Sequence, residues 1–402
     1  MYSFLRSFLC VFAPVLLALV GPSAHAADPA RPFGDNVVLR GNLNNSRLKF
    51  EQSKKGNVAF LGGSITEMEG YRPMVCDILK KRFPETEFTF TNAGIASTCS
   101  TTGAFRFSRD VLAHGPVDLF FLEFAVNDDQ DAHHTREECI RGIEGILRHA
   151  LAANPNMDIV ITFFVNETML KDLQAGKVPL SIEAHQAVAE HYGISTINLA
   201  KEAAEEITAG KLTWRQYGGV HPAPYGNGIC AKMIDELLNR AWSAPLPANA
   251  ALAKHEVPAA IDPLSYVDGH FIDPKQAQIK SGWTVEVPDW NSLPGGKRPR
   301  FTSIPMLTAT EPGAEATLDF KGTAVGAFIV AGPDAGMLEV TIDDSPTRKV
   351  NLYQSYSSGL HYPCTVMFGT DLKPGDHTLS IRVSDGTKSS GHAARIMEFV
   401  VN

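Results

Sequence analysis

Beyond its first 26 residues the chain has no apolar run approaching the ~20 residues that cross a bilayer, so no stable membrane span is expected in the body of the sequence. It has no excess of positive charge either. Its 36 Lys and Arg stand against 44 Asp and Glu, a net charge of −8, which argues against nucleic acid and anionic membranes as partners. There is no C-x-x-C pair and no Cys/His spacing of a structural zinc site. Of the six cysteines, Cys10 lies in the N-terminal apolar segment, leaving Cys76, Cys99, Cys139, Cys230 and Cys364. An odd number cannot all pair within one chain, and buried free thiols are the expectation for domains of this size. No repeat of fixed period is present, and nothing in the sequence indicates an oligomeric state.

What is present begins with "MYSFLRSFLCVFAPVLLALVGPSAHA", residues 1–26: Arg6, an apolar run broken by Pro14, then Ala24-His25-Ala26. This is the layout of a cleavable secretory signal peptide and predicts export, to the periplasm or beyond the cell. From residue 57 to 242, apolar strands alternate with segments of helical spacing, the pattern of an α/β domain with a parallel sheet. "VDLFFLEFAVND" is nearly all apolar, as a strand covered on both faces must be. Thr135 and Glu138 open a helix as a capping box, and Gly193 stops another. "SAPLPANAALAKHEVPAAIDP" then breaks the rhythm with Pro and Ala. Short β-rich runs between Gly, Pro, Asp and Asn follow, as in an antiparallel, jelly-roll-like β-sandwich. The expected organisation is a signal at 1–26, an α/β domain at 27–245, a linker at 246–260 and a β-sandwich at 261–402.

Four stretches of the first domain carry chemistry. "VAFLGGSITE" places Ser64 between a strand and a helix, at the carboxyl edge where open α/β sheets bind ligands. Read alone, Ser64 serves equally well as a helix N-cap. "FTNAGIAST" offers Gly94, whose N–H a ligand can approach without a side chain intervening. "FLEFAVNDD" ends its strand on Asn127, an amide able to donate to an oxyanion, and "GGVHP" supplies His221.

In this order, over roughly residues 57–242, these stretches resemble the SGNH branch of the GDSL esterase family. The resemblance implies a flavodoxin-like, three-layer hydrolase domain with Ser64 as nucleophile and His221 as base. It implies an oxyanion hole of the Ser64 N–H, the Gly94 N–H and the Asn127 side chain, and no metal or organic cofactor. Two positions depart from the family pattern: Ala125 replaces its glycine, and Gly218 stands three residues before His221, where its catalytic aspartate belongs. Loss of that acid costs a well-studied triad about 10⁴-fold in rate. A substitute is therefore expected: in the manner of the family's Ser-His dyads, the Gly218 backbone carbonyl first and a carbonyl of Gln216 or Tyr217 next, with the Glu67 and Asp128 carboxylates as further candidates.

Arg72, Arg106 and Arg109 are candidates to hold an acidic sugar, and Trp214 and Tyr217 to form a sugar-stacking wall. Surface ion pairs and core packing are the competing explanations. His133 and His134, beside Asp129 and Asp131, match no metal-site spacing and are expected in a loop at the pocket rim. The polar segments around the four stretches disfavour a lipase. Together with the expected export and the attached sandwich, they favour a carbohydrate or polysaccharide partner from which a small acyl group, O-acetyl above all, is removed. Two other functions fit the missing aspartate: a glycoside hydrolase or acyltransferase working through carboxylates such as Glu67, Glu123 or Asp128, and a non-catalytic glycan-binding protein.

Overall fold

The computed structural model describes residues 32–402, and the expected signal segment lies outside the described residues. Asp35–Asn402 forms one compact unit. Its first sheet has six strands: β1 (Val37–Val38), β2 (Lys55–Gly62), β3 (Glu87–Gly94), β4 (Leu119–Leu122), β5 (Asp158–Thr162) and β6 (Ser195–Ile197). Their order is β1-β6-β5-β4-β2-β3, all parallel except the antiparallel edge strand β1. The parallel part has the flavodoxin-like order, whose reversal point between β2 and β4 opens a crevice at the strands' carboxyl ends. The two-residue β1 is too short to leave a sequence signal.

Helices α1 (Asn44–Leu48), α2 (Ser64–Glu67), α3 (Tyr71–Arg82), α4 (Ser100–Asp110), α5 (Ala125–Gln130) and α6 (Arg136–Ala153) come first. They are followed by α7 (Glu167–Gln174), α8 (Leu180–His191), α9 (Leu199–Thr208), α10 (Trp214–Tyr217) and α11 (Pro224–Trp242). One layer packs α3 on α11; the other packs α4 on α6 and α6 on α8. Thr135 and Glu138 form the expected capping box at α6. Helix α4 was not evident from sequence, because it opens on Ser100, Thr101 and Thr102 with no side-chain cap before them, residues that read as loop although the stretch to Phe107 is buried.

The second half holds β7 (His270–Ile272), β8 (Gln278–Ser281), β9 (Thr284–Glu286), β10 (Met306–Ala309), β11 (Glu315–Gly322) and β12 (Val325–Ala331). After these come β13 (Met337–Ile342), β14 (Arg348–Asn351), β15 (Tyr362–Gly369), β16 (Gly375–Val383) and β17 (Ala394–Val401). They make two antiparallel sheets, β15-β12-β17-β10-β9 with β7 beside β17, and β14-β13-β16-β11-β8. In β13, Leu338, Val340 and Ile342 face the core while the residues between them are less buried, the period of a half-covered strand. Strand β12 is buried at every residue, and on its second face Phe328 is covered by Phe271 and Phe301. Between the two halves the Thr102 hydroxyl of α4 meets the Thr365 hydroxyl of β15 at 2.9 Å.

The Pro- and Ala-rich connection runs along the α/β layers instead of hanging free. The buried carboxylate of Glu144 accepts hydrogen bonds from the N–H groups of Ile261 and Asp262 and from the Ser265 hydroxyl. Tyr266 then packs its ring on Phe105. Among the described residues all five cysteines are free thiols, four of them buried.

Candidate active site

Strand β2 ends in Gly62, Gly63 follows it, and neither position has room for a side chain as its neighbours stand. A Cβ at 62 would lie 2.2 Å from Glu123 Oε1, and one at 63 would lie 2.1 Å from Asn127 Oδ1. Glu123, just after β4, and Asn127, which lies in the first turn of α5 and not at the strand end expected from sequence, thus press directly on the turn that presents Ser64. Ser64 occupies the first position of α2, where its N–H has no intrahelical acceptor.

His221 comes from the α10–α11 connection. Thr213 and Gln216 cap α10 reciprocally, Gly218 ends it at φ 111° and ψ 4°, and the Ala223 N–H returns to the Tyr217 carbonyl at 2.8 Å. Asn227 of α11, which sequence reasoning passed over, donates to the Pro222 carbonyl and lies against Gly70 near the Ser64 turn. The result joins two loops 157 residues apart: His221 Nε2 lies 2.8 Å from Ser64 Oγ.

None of the expected orienting groups meets His221. Among the described residues Nδ1 makes no hydrogen bond, and the Gly218 carbonyl is not joined to it. Glu67 accepts instead from the Ala96 N–H at 2.9 Å and pairs with Arg300 at 3.0 Å. Asp128 accepts from the Ser100 N–H and hydroxyl and faces His185 Nε2 at 2.8 Å. Burial pushes the Asp128 carboxyl up, but His134 and His185 outweigh burial and hold it well below the usual carboxylate range. Asp128 braces the start of α4 and does not serve as a third catalytic member. The geometry also explains why residue 218 has no carboxylate: a Cβ there would stand 1.9 Å from the Ala223 nitrogen.

The oxyanion donors divide. Asn127 is buried beside the Ser64 turn, with Nδ2 donating to Asp131 Oδ2 at 2.6 Å. Gly94 departs from expectation. Its N–H is taken by its neighbour's side chain, Asn92 Oδ1, at 3.0 Å, a local Asx-type bond. Glycine is required at 94 for packing, since a Cβ there would lie 2.2 Å from the Glu67 nitrogen of α2.

Three groups that hold these loops were not assigned those roles from sequence. Glu123 accepts from the Gly63 N–H at 3.0 Å and the Thr66 hydroxyl at 2.8 Å. Burial pushes its carboxyl up to about 8, against the downward pull of those donors. Arg106 is fully buried and ties the ends of β2 and β3 together, donating to the carbonyls of Gly62 at 2.9 Å and Ala93 at 2.6 Å. Burial lowers its guanidinium to about 10. Asp131, seen in sequence only as a neighbour of the His pair, holds the Asn127 amide.

The sugar-binding candidates are otherwise engaged. Arg72 donates to the Thr66 carbonyl and pairs with Glu69, Arg109 pairs with Asp110, and Tyr217 is buried beneath a stacked Trp214. Cys99, Asp128 and His134 bring potential metal-ligand atoms within 4.8 Å of one another. The Asp128 oxygens there already accept from Ser100 and face His185.

Residues 60–229 match the model of the GDSL-like lipase/acylhydrolase family. Among solved structures, a two-domain esterase (CEX) active on acetylated mannans, co-crystallised with mannopentaose, superposes with a TM-score of 0.74 at 19% identity. The match covers 91% of this chain and 97% of that one. A second crystal structure of a two-domain esterase (CEX) active on acetylated mannans gives a TM-score of 0.70 at the same identity and coverage. No curated protein matches the chain by sequence.

Proposed function

We propose that this chain, whose residues 60–229 match the model of the GDSL-like lipase/acylhydrolase family, is an exported serine esterase that removes O-acetyl groups from a polysaccharide through a Ser64–His221 dyad. The observation that carries this reading is the 2.8 Å contact between Ser64 Oγ and His221 Nε2. At that distance the imidazole takes the hydroxyl proton as Oγ attacks the ester carbonyl. In this reading the Ser64 N–H and the second N–H of the Asn127 amide donate to the oxyanion, each worth about 3 kcal/mol. Gly94 adds a donor once Asn92 releases its N–H. His221 then protonates the departing sugar hydroxyl, and water releases acetate from Ser64 by the same steps in reverse.

With no carboxylate behind it, the imidazolium formed during attack is stabilised by the medium around the exposed His221 ring. The carboxylates that a glycosidase mechanism would call on, Glu67, Glu123 and Asp128, are each committed to loop contacts. The polysaccharide substrate is supported by the two-half architecture shared with the mannan-active esterase, and export by the pattern of residues 1–26. Acetate release from acetylated mannan is the direct test. Ser64→Ala and His221→Ala are expected to lower it by at least about 10³-fold; turnover that survives Ser64→Ala refutes the dyad.

A further inference from the structure

An asparagine serves an oxyanion only if its NH₂ end, not its carbonyl, faces the reacting atom, and the side chain can turn either end inward. At Asn127 the choice is made by Asp131. A carboxylate only accepts, so its 2.6 Å contact takes one N–H of Nδ2, Oδ1 lies buried against Gly63 with no partner, and the second N–H of Nδ2 is the one left for an oxyanion. Asp131 is in turn fixed from outside the α/β half. Tyr362, the first residue of β15 and 3% exposed, donates from its hydroxyl to Asp131 Oδ1 at 3.0 Å. The same hydroxyl lies 3.4 Å from the Ser97 carbonyl in the loop after β3.

That loop has its own support from the sandwich half. Ser97 adopts a left-handed φ of 69°, unfavourable for a non-glycine residue, and Arg298 donates to the Ala96 carbonyl at 2.6 Å and the Ser97 hydroxyl at 2.8 Å. Arg300 pairs with Glu67, whose second oxygen accepts from the Ala96 N–H.

We propose that the β-sandwich sets the oxyanion geometry of the α/β half, with Tyr362 as a positioning residue acting through Asp131 on the Asn127 amide. The inference rests on the esterase reading and adds a role for the second half other than holding substrate. Removing the hydroxyl while keeping the ring leaves Asp131 short of a donor and free to turn, and the amide with it.

The test uses the full chain and p-nitrophenyl acetate, an ester too small to need a glycan subsite. Tyr362→Phe is expected to lower kcat about tenfold at unchanged KM. In an Asn127→Ala background the same substitution is expected to change kcat roughly twofold or less, since no amide remains to be positioned. Asp131→Asn, whose side chain can present either end to the amide, provides a second variant with the same expected coupling, and thermal melts verify that each protein is folded. Wild-type kcat in Tyr362→Phe, or an equal loss with and without Asn127, overturns the proposal. Ser64→Ala measured alongside separates the two levels: if it retains turnover, the esterase reading itself fails, whatever the coupling between Tyr362 and Asn127.

Discussion

Putting an aspartate back at residue 218 is the obvious repair of the missing acid, and the structure says that it fails. Gly218 sits at φ 111°, in the left-handed region that costs an L-residue about 1–2 kcal/mol. Its Cβ would also stand 1.9 Å from the Ala223 nitrogen, a backbone atom that can yield only by moving the chain just after His221. That movement breaks the 2.8 Å bond from the Ala223 N–H to the buried Tyr217, at a cost of about 1–3 kcal/mol. Together the two effects remove roughly 2–5 kcal/mol, a large part of the 5–15 kcal/mol typical of a folded protein. Gly218→Asp is therefore expected to lower the melting temperature by about 5 °C or more and to reduce kcat as His221 leaves Ser64. Gly218→Ala separates the causes, because it introduces the same Cβ without a carboxylate and is expected to do equal damage. Thermal melts and initial rates of acetate release on the two variants suffice. A Gly218→Asp protein with wild-type melting temperature and a kcat raised tenfold would refute the steric argument and show that the triad was only one substitution away.

Glu123→Gln tests the buried carboxyl under the Ser64 turn. A folded-state value of about 8, raised from 4.5, gives a contribution to stability that is full below about pH 4.5 and lost as pH rises through 8. The full shift corresponds to roughly 5 kcal/mol as an upper bound, so the wild-type melting temperature is expected to fall between pH 5 and 8 and the glutamine variant to follow a flatter curve; parallel curves would show that Glu123 does not titrate there. Arg106→Met is expected to cost about 3–5 kcal/mol, because it leaves Asp110 short of its buried partner and the Gly62 and Ala93 carbonyls without their donor. It is also expected to lower kcat more than a distant substitution of equal stability cost, and equal activity loss in such a control would count against a role in aligning the two loops.

What could be read from sequence and what could not follows from the kind of signal each feature leaves. Strands β2 and β4 stand out as apolar runs followed by Gly-Ser and, within α5, by Asn-Asp, and chain alternation then places both ends at one sheet edge, so Ser64, Asn127 and His221 were legible as a group. Helix α4 was not, because its opening Ser and Thr residues, with no capping side chain before them, read as loop. Glu123 left a usable sign: it is the one charge within Leu119–Val126, and a charge inside a buried strand has to be hydrogen-bonded or neutral. Arg106 and Tyr362 left none, since their roles depend on carbonyls and a carboxylate brought from distant parts of the chain.

The absent acid and the bracing of Asn127 bear on one another through magnitude. Losing the aspartate of a triad removes about 5.5 kcal/mol of transition-state stabilisation, all of it on the side of the imidazole. Oxyanion donors supply about 3 kcal/mol apiece, so two well-aimed donors match that loss, and a donor that turns away forfeits more than half of it. Gly94 has its N–H diverted to Asn92, which leaves the Ser64 N–H and the Asn127 amide as the donors in place. An enzyme with a bare imidazole can least tolerate a loose amide, and that amide is the one held from β15 through Asp131. On this account Tyr362→Phe weakens catalysis more in this chain than the loss of an equivalent contact would in a relative with a complete triad.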